Sequence, residues 1–178
     1  MISGATYDWR HPCLRALQTR ARENLNAYNA APFDDAAAVE RALRALVGAA
    51  GRDVYVETPF YTDYGCHITL GDGVYLNTGC VILDAAPVSI GARTKLGPRV
   101  QLYTEGHPLD PVTRSRNGSD FARAITIGAD VWLAGNVVVG PGVTIGAGST
   151  IGAGSVVLRD VPPGVLAAGA PCRVVRSL

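Results

Sequence analysis

The chain has 178 residues, 48% of them apolar, and a formal charge of +1 at pH 7. That apolar content supports a packed core and excludes a disordered tract, and the balanced charge without a basic block argues against a nucleic-acid partner. No apolar leader or membrane-length run opens the chain, and Cys13, Cys66, Cys80 and Cys172 form no C-x-x-C pair; a cytoplasmic protein with reduced thiols and no membrane partner is expected.

Residues 1–51 read as a helical segment. Leu14, Leu17, Ala21, Leu25 and Tyr28 recur at three- and four-residue steps, one apolar stripe on a helical period, with Pro12 in a first-turn position and "NAAP" at 29–32 as the stop. A second helix is predicted from an N-cap at Asp34 to Gly48, with Val39, Leu43, Leu46 and Val47 as its stripe and Glu40–Arg44 as an i,i+4 pair. Two short amphipathic helices need another surface on which to bury those stripes.

From residue 52 the period changes to six. Aliphatic residues open successive blocks at 127, 133, 139, 145, 151 and 157, with Gly following at 128, 140, 146 and 152. The earlier half repeats the pattern at Leu70, Leu76 and Ile82, slips by two residues, and resumes at Ile90, Leu96 and Leu102. Six is neither a helical nor a strand period, so each block is a short strand plus a turn. Gly or a small polar residue supplies the turn conformation. Three blocks close a triangular coil, and stacked coils bury one ladder of Ile, Leu and Val. The rhythm should occupy 52–162 and be interrupted by an extruded loop at about 103–124. The tail at 163–178 is expected to pack on the coils as an extended segment and a short C-terminal helix.

The repeat resembles that of the hexapeptide-repeat acyltransferases, which implies a left-handed parallel β-helix. "YDW" at 7–9, "PFYTDYG" at 59–65, "LNTGCVILD" at 76–84, "GHPLD" at 106–110 and "AGAPCRVVR" at 168–176 follow in one order. Together they resemble the maltose/galactoside O-acetyltransferase branch over essentially the whole chain. The resemblance implies acetyl-CoA as co-substrate with no metal required, a sugar or glycoside hydroxyl as acceptor, and a homotrimer with active sites between subunits. The alternative is a non-sugar acceptor, a xenobiotic or a secondary metabolite.

The loop "YTEGHPLDPVTRSRNGSDFARA" carries His107, one of three histidines. Loops of that length in a compact repeat are commonly functional, and an imidazole titrates near neutrality. The resemblance implies that His107 is the general base. By the same resemblance, the backbone N–H of Gly135 would face the oxyanion, although Gly135 also reads as a plain turn glycine where serine is more usual. Acceptor contacts are carried to Asp8, Asp63, Asn77 and Asp84. Asp63 stands where some relatives have serine, and the aspartate that they place one position after Asp84 is Ala85 here. For acetyl-CoA the implied residues are Trp132, Ala153, Arg159, Arg173 and Arg176; Trp132 also reads as a bulge on one coil face. A zinc enzyme on the same fold would need three converging histidines, and His11, His67 and His107 are too dispersed. An ice-binding or scaffold solenoid would need a polar ladder at eighteen-residue spacing, which is absent.

Overall fold

The computed structural model describes all residues, 1–178. Helix α1 (Pro12–Asn29) starts with Pro12 in its first turn and buries Ala21, Leu25 and Tyr28. Helix α2 (Ala36–Leu46) is capped by Asp35, whose carboxylate accepts from Ala38 N, one residue after the expected cap at Asp34. The Tyr28 hydroxyl donates to Val56 O and the Asn29 amide to Phe60 O. These contacts seat the helices on the base of the repeat domain.

That domain is a three-faced prism. Its first coil holds β1 (Ala49–Ala50), β2 (Tyr55–Val56) and β3 (Tyr61–Thr62), and the second holds β4 (Ile68–Leu70), β5 (Tyr75–Leu76) and β6 (Val81–Leu83). The third coil holds β7 (Val88–Ile90), β8 (Lys95–Leu96) and β9 (Gln101–Tyr103). The loop that follows carries β10 (Glu105–Gly106), α3 (Pro111–Arg114) and β11 (Phe121–Ala122). Above it, β12 (Ile125–Ile127), β13 (Trp132–Leu133) and β14 (Val138–Val139) form the fourth coil, and β15 (Thr144–Ile145), β16 (Thr150–Ile151) and β17 (Val156–Val157) the fifth. A last partial coil ends in β18 (Val165–Ala168) and β19 (Arg173–Ser177). Strands pair in parallel up each face, β1-β4-β7-β12-β15, β2-β5-β8-β13-β16-β18 and β3-β6-β9-β14-β17.

The inward row is the aliphatic ladder read from the repeat. Leu76, Ile82, Leu96, Leu102, Ile127, Leu133, Ile145 and Ile151 are all buried, each worth about 1.5–3 kcal/mol of transfer. The tail departs from expectation. Instead of a short helix it turns back as β19, antiparallel to β18, with Arg176 opposite Leu166. Val174 and Val175 in β19 favour a strand, and β18 supplies the open edge for them to join.

Two edges of the prism differ in their step length. At one, here the loop edge, the chain leaves the third face for the first face of the next coil. In the lower coils Ile82 and Ile90 are eight residues apart across this edge; in the upper ones Val139 and Ile145 are six apart. Steps between the other faces stay at six, so the two-residue slip is confined to the edge from which 104–124 extrudes. The amide edge lies between the second and third faces. It stacks tight turns in which Gly79, Arg99, Asn136 and Gly154 have φ of 74°, 57°, 59° and 69°. Arg99 departs from the expectation of glycine or a small polar residue at turns.

Candidate active site

His107 sits on the loop edge with its ring largely exposed. Its Nδ1 lies 2.6 Å from Asp120 Oδ1, and Asp120 is mostly covered. Beside a carboxylate acceptor Nδ1 carries the proton, so the lone pair is on Nε2, the geometry of an imidazole set up to take a proton. The loop was expected to be a strandless excursion, but β10 and β11 pair antiparallel through Glu105–Ala122 and Gly106–Phe121. This pairing brings together His107 and Asp120, which are thirteen positions apart in the chain. A Cβ on Gly106 would lie 2.6 Å from the Phe121 ring, so glycine lets that ring lie close against the backbone.

The N-terminal segment closes on the same place. Tyr7 forms an antiparallel bridge with Asp120, its N–H donating to Asp120 O at 3.0 Å, and its hydroxyl donates to Glu105 Oε2 at 3.4 Å. Asp8 is braced by the Arg10 backbone N–H at 2.9 Å and faces Gly118 of the loop. Arg10 also donates to Asn117 at 2.5 Å.

Each lower coil contributes one acid at the loop edge: Asp63, Asp84 and Glu105. Asp84 is fully buried, and Thr62 Oγ1 (2.7 Å), Tyr64 N (2.8 Å) and His67 N (3.2 Å) donate to its carboxylate, while its own carbonyl meets His67 Nδ1 at 2.7 Å. It was assigned to acceptor contact; the structure makes it an internal strut instead, because no face of the carboxylate reaches solvent. Asp63 and Glu105 are half-buried. Burial pushes both carboxyls above the usual carboxylate range, reinforced by Asp84 for Asp63 and by Asp63 for Glu105; Arg22 partly offsets the rise at Asp63. Burial also pushes the nearby Tyr64 hydroxyl up to about 12. Ala85 is buried with Tyr64, Ala86 and Ala122, so no acid stands there.

The other assigned residues lie elsewhere. Asn77, Gly135 and Ala153 occupy the second-, fourth- and fifth-coil turns of the amide edge, and Asn77 Oδ1 is engaged by Thr78 N at 2.8 Å. Asn77 therefore does not steady His107 within one chain. The Gly135 and Ala153 N–H groups donate to no acceptor of the chain, which leaves them free for a ligand. Gly97, one coil below, must be glycine because a Cβ would come within 2.6 Å of Gly135 N. Trp132 projects outward from the second face, exposed between Lys95 and Thr150. Arg173 and Arg176 lie exposed on β19, whereas Arg159 sits higher on the loop edge, so the three arginines do not form one cluster. A cavity of about 480 Å³ between α2 and β2, lined by Val39, Leu43, Tyr55 and Val56, is remote from all of this chemistry. No group of three His, Cys, Asp or Glu side chains is arranged to hold a metal ion, and no helix is long and apolar enough to cross a membrane.

Sequence reading missed Asp120, Glu105 and Tyr7. Only Tyr7 carried a signal, through its place in "YDW"; the other two are ordinary loop acids until β10 and β11 pair.

Comparison with known proteins agrees with this architecture. The family described as bacterial transferase hexapeptide (six repeats) matches residues 124–159, and the maltose acetyltransferase hexapeptide capping motif matches residues 1–51. Nodulation protein L of Rhizobium meliloti (strain 1021) is 44% identical over 174 residues, 98% of this chain and 94% of that protein. A maltose O-acetyltransferase from Clostridium difficile 630 superposes with a TM-score of 0.97 at 36% identity, covering 99% of this chain and 94% of that one. A hexapeptide-repeat acetyltransferase of Vibrio cholerae O1 biovar eltor, complexed with acetyl coenzyme A, gives 0.94 at 38% identity, covering 100% and 96%. With its left-handed parallel β-helix, its helical cap and these relatives, the chain belongs to the hexapeptide-repeat acetyltransferases that carry the maltose acetyltransferase capping motif.

Proposed function

We propose that the protein transfers the acetyl group of acetyl-CoA to a hydroxyl of a sugar or glycoside, with His107 as general base. The observation that carries this is the exposed imidazole whose Nδ1 is held at 2.6 Å by Asp120. Nε2 takes the hydroxyl proton as the alcohol oxygen attacks the thioester carbonyl. The C–S bond then breaks, the ester C–O bond remains, and the imidazolium returns the proton to the departing thiolate. The acetyl-CoA complex of the Vibrio cholerae protein supports the donor, and the Clostridium difficile maltose O-acetyltransferase supports a sugar acceptor.

The oxyanion formed in that attack needs a donor, and the free Gly135 N–H supplies one. His107 and Gly135 lie on different edges of one prism, so the complete site requires the loop edge of one copy against the amide edge of another. A cyclic trimer satisfies this with three equivalent sites. Arg173 and Arg176 at the end of the second face would meet the nucleotide phosphates, with Trp132 and the Ala153 N–H along the pantetheine arm.

The test is thiol release from acetyl-CoA against a panel of glucosides, galactosides, maltose and non-sugar alcohols. Turnover should be confined to the sugars and fall about 10³- to 10⁴-fold in His107→Ala without loss of folding. Gly135→Pro deletes the N–H but should fold, since Pro98 holds the equivalent slot one coil below. Chains of His107→Ala and Gly135→Pro, each inactive alone, should recover activity when unfolded together and refolded as a mixture. Failure to complement would place base and donor in one chain.

A further inference from the structure

We infer that Tyr7 is a positioning residue for the base: through its backbone N–H and its ring it clamps Asp120 against His107. This rests on the acetyl-transfer reading above and deepens it by naming what holds the imidazole ready.

The loop has little of its own for that task. β10 and β11 pair over two residues only, Glu105–Ala122 and Gly106–Phe121, and a two-stranded ladder so short is marginal in water. Carried one step further, its register sets His107 opposite Asp120, where side chains of directly opposed residues can touch. Yet no backbone hydrogen bond joins His107 to Asp120. Their direct tie is the 2.6 Å contact between side chains, at a ring largely open to solvent.

The N-terminal segment supplies a third run of chain. It meets the loop in antiparallel order: Arg10 donates to Asn117, Asp8 faces Gly118, and Tyr7 N donates to Asp120 O at 3.0 Å. Tyr7 is anchored at its other end as well. Its ring packs on the cluster of Tyr64, Ala85, Ala86 and Ala122, and its hydroxyl donates to Glu105 Oε2 at 3.4 Å. One residue thereby ties both roots of the loop, at 105 and at 120, to the prism. With Asp120 held in this way its carboxylate stays on Nδ1, the proton stays there too, and the Nε2 lone pair is kept for the hydroxyl proton. Without the clamp the exposed ring is free to turn toward water and to carry its proton on Nε2, where it blocks the base.

The experiment follows the His107 ring by nitrogen NMR at alkaline pH, where a neutral imidazole reports which nitrogen carries the proton. His107→Ala identifies its signals among the three histidines. Thiol release from acetyl-CoA with methyl glucoside is measured alongside. Tyr7→Phe keeps the N–H and the ring and loses only a long hydrogen bond, so the proton should stay on Nδ1 and kcat should hold within about twofold. Tyr7→Ala loses the ring and Tyr7→Pro loses both holds. Both should move the proton toward Nε2 and lower kcat about tenfold with KM little changed, Tyr7→Pro the more. Thermal melting checks folding, and if Tyr7→Pro does not fold, Tyr7→Ala decides. A ring that keeps its proton on Nδ1 in folded Tyr7→Ala overturns the clamp, whatever kcat does. So does a loss in Tyr7→Phe equal to that in Tyr7→Ala. If the proton moves while kcat does not, the clamp stands and His107 is not the base.

Discussion

The loop edge and the amide edge are built from the same repeat and do opposite things. Along the amide edge every step is six residues, the turns are tight, and the Gly135 and Ala153 N–H groups are left without an acceptor. Along the loop edge the lower coils are two residues longer at each crossing, and the added length brings side chains: Asp63, Asp84, Glu105 and then the whole His107 loop. The regular edge thus leaves two backbone N–H groups free in its upper coils, and irregularity confined to the other edge adds the acids and the imidazole. The proposed mechanism, which needs both, would be assembled by bringing unlike edges of two copies together.

That contrast can be broken most severely at Asp84. Asp84→Ala should leave the Thr62 hydroxyl and two backbone N–H groups without partners and cost about 3 kcal/mol of stability, read by chemical denaturation. Substitution of the partly exposed Asn77 on the amide edge should cost under about 1 kcal/mol. Next is Asp120→Asn, which keeps the shape but offers the imidazole a neutral partner. Turnover should drop about a hundredfold with KM little changed, and the complementation partner should rescue it no better than it rescues His107→Ala.

Smaller effects sharpen the comparison. Arg99→Gly relieves a left-handed turn on the amide edge and should stabilise by about 0.5–1 kcal/mol, a few degrees in Tm. Glu105→Gln should raise Tm by about 1 °C at neutral pH. The folded-state pKa of Glu105 is raised, so its ionisation penalises the folded form at neutral pH. The penalty disappears as pH falls through that raised value, and wild type and variant should converge in acid. A gap that widens in acid would contradict the assigned burial.

The prism was legible because a six-residue period with buried aliphatics at each opening position leaves little else to build. Leu76, Leu96, Leu133 and Ile151 are where the rhythm puts them. The helical cap was equally readable, to within two residues at the start of α2. Less so was whatever depends on contacts between distant segments. Residues 173–177 join a sheet because β18 offers them an edge, a fact absent from their own periodicity. Asp120 finds His107 only through a two-residue ladder that spacing does not announce. The role of Asp84 was misjudged because an acid near a motif suggests ligand contact. Its setting between "VIL" and "AAPV" pointed to interior placement, with backbone donors to match.

One feature of the upper end has a bearing on solubility. Stacked parallel coils could in principle add further copies end to end, as in fibrils. Here β19 runs against the direction of the strands beneath it, all five of its residues are exposed, and Arg173 and Arg176 stand on it. A reversed, positively charged rim repels its own kind. Arg173 and Arg176 are thus edge charges of the kind that disfavours end-to-end addition.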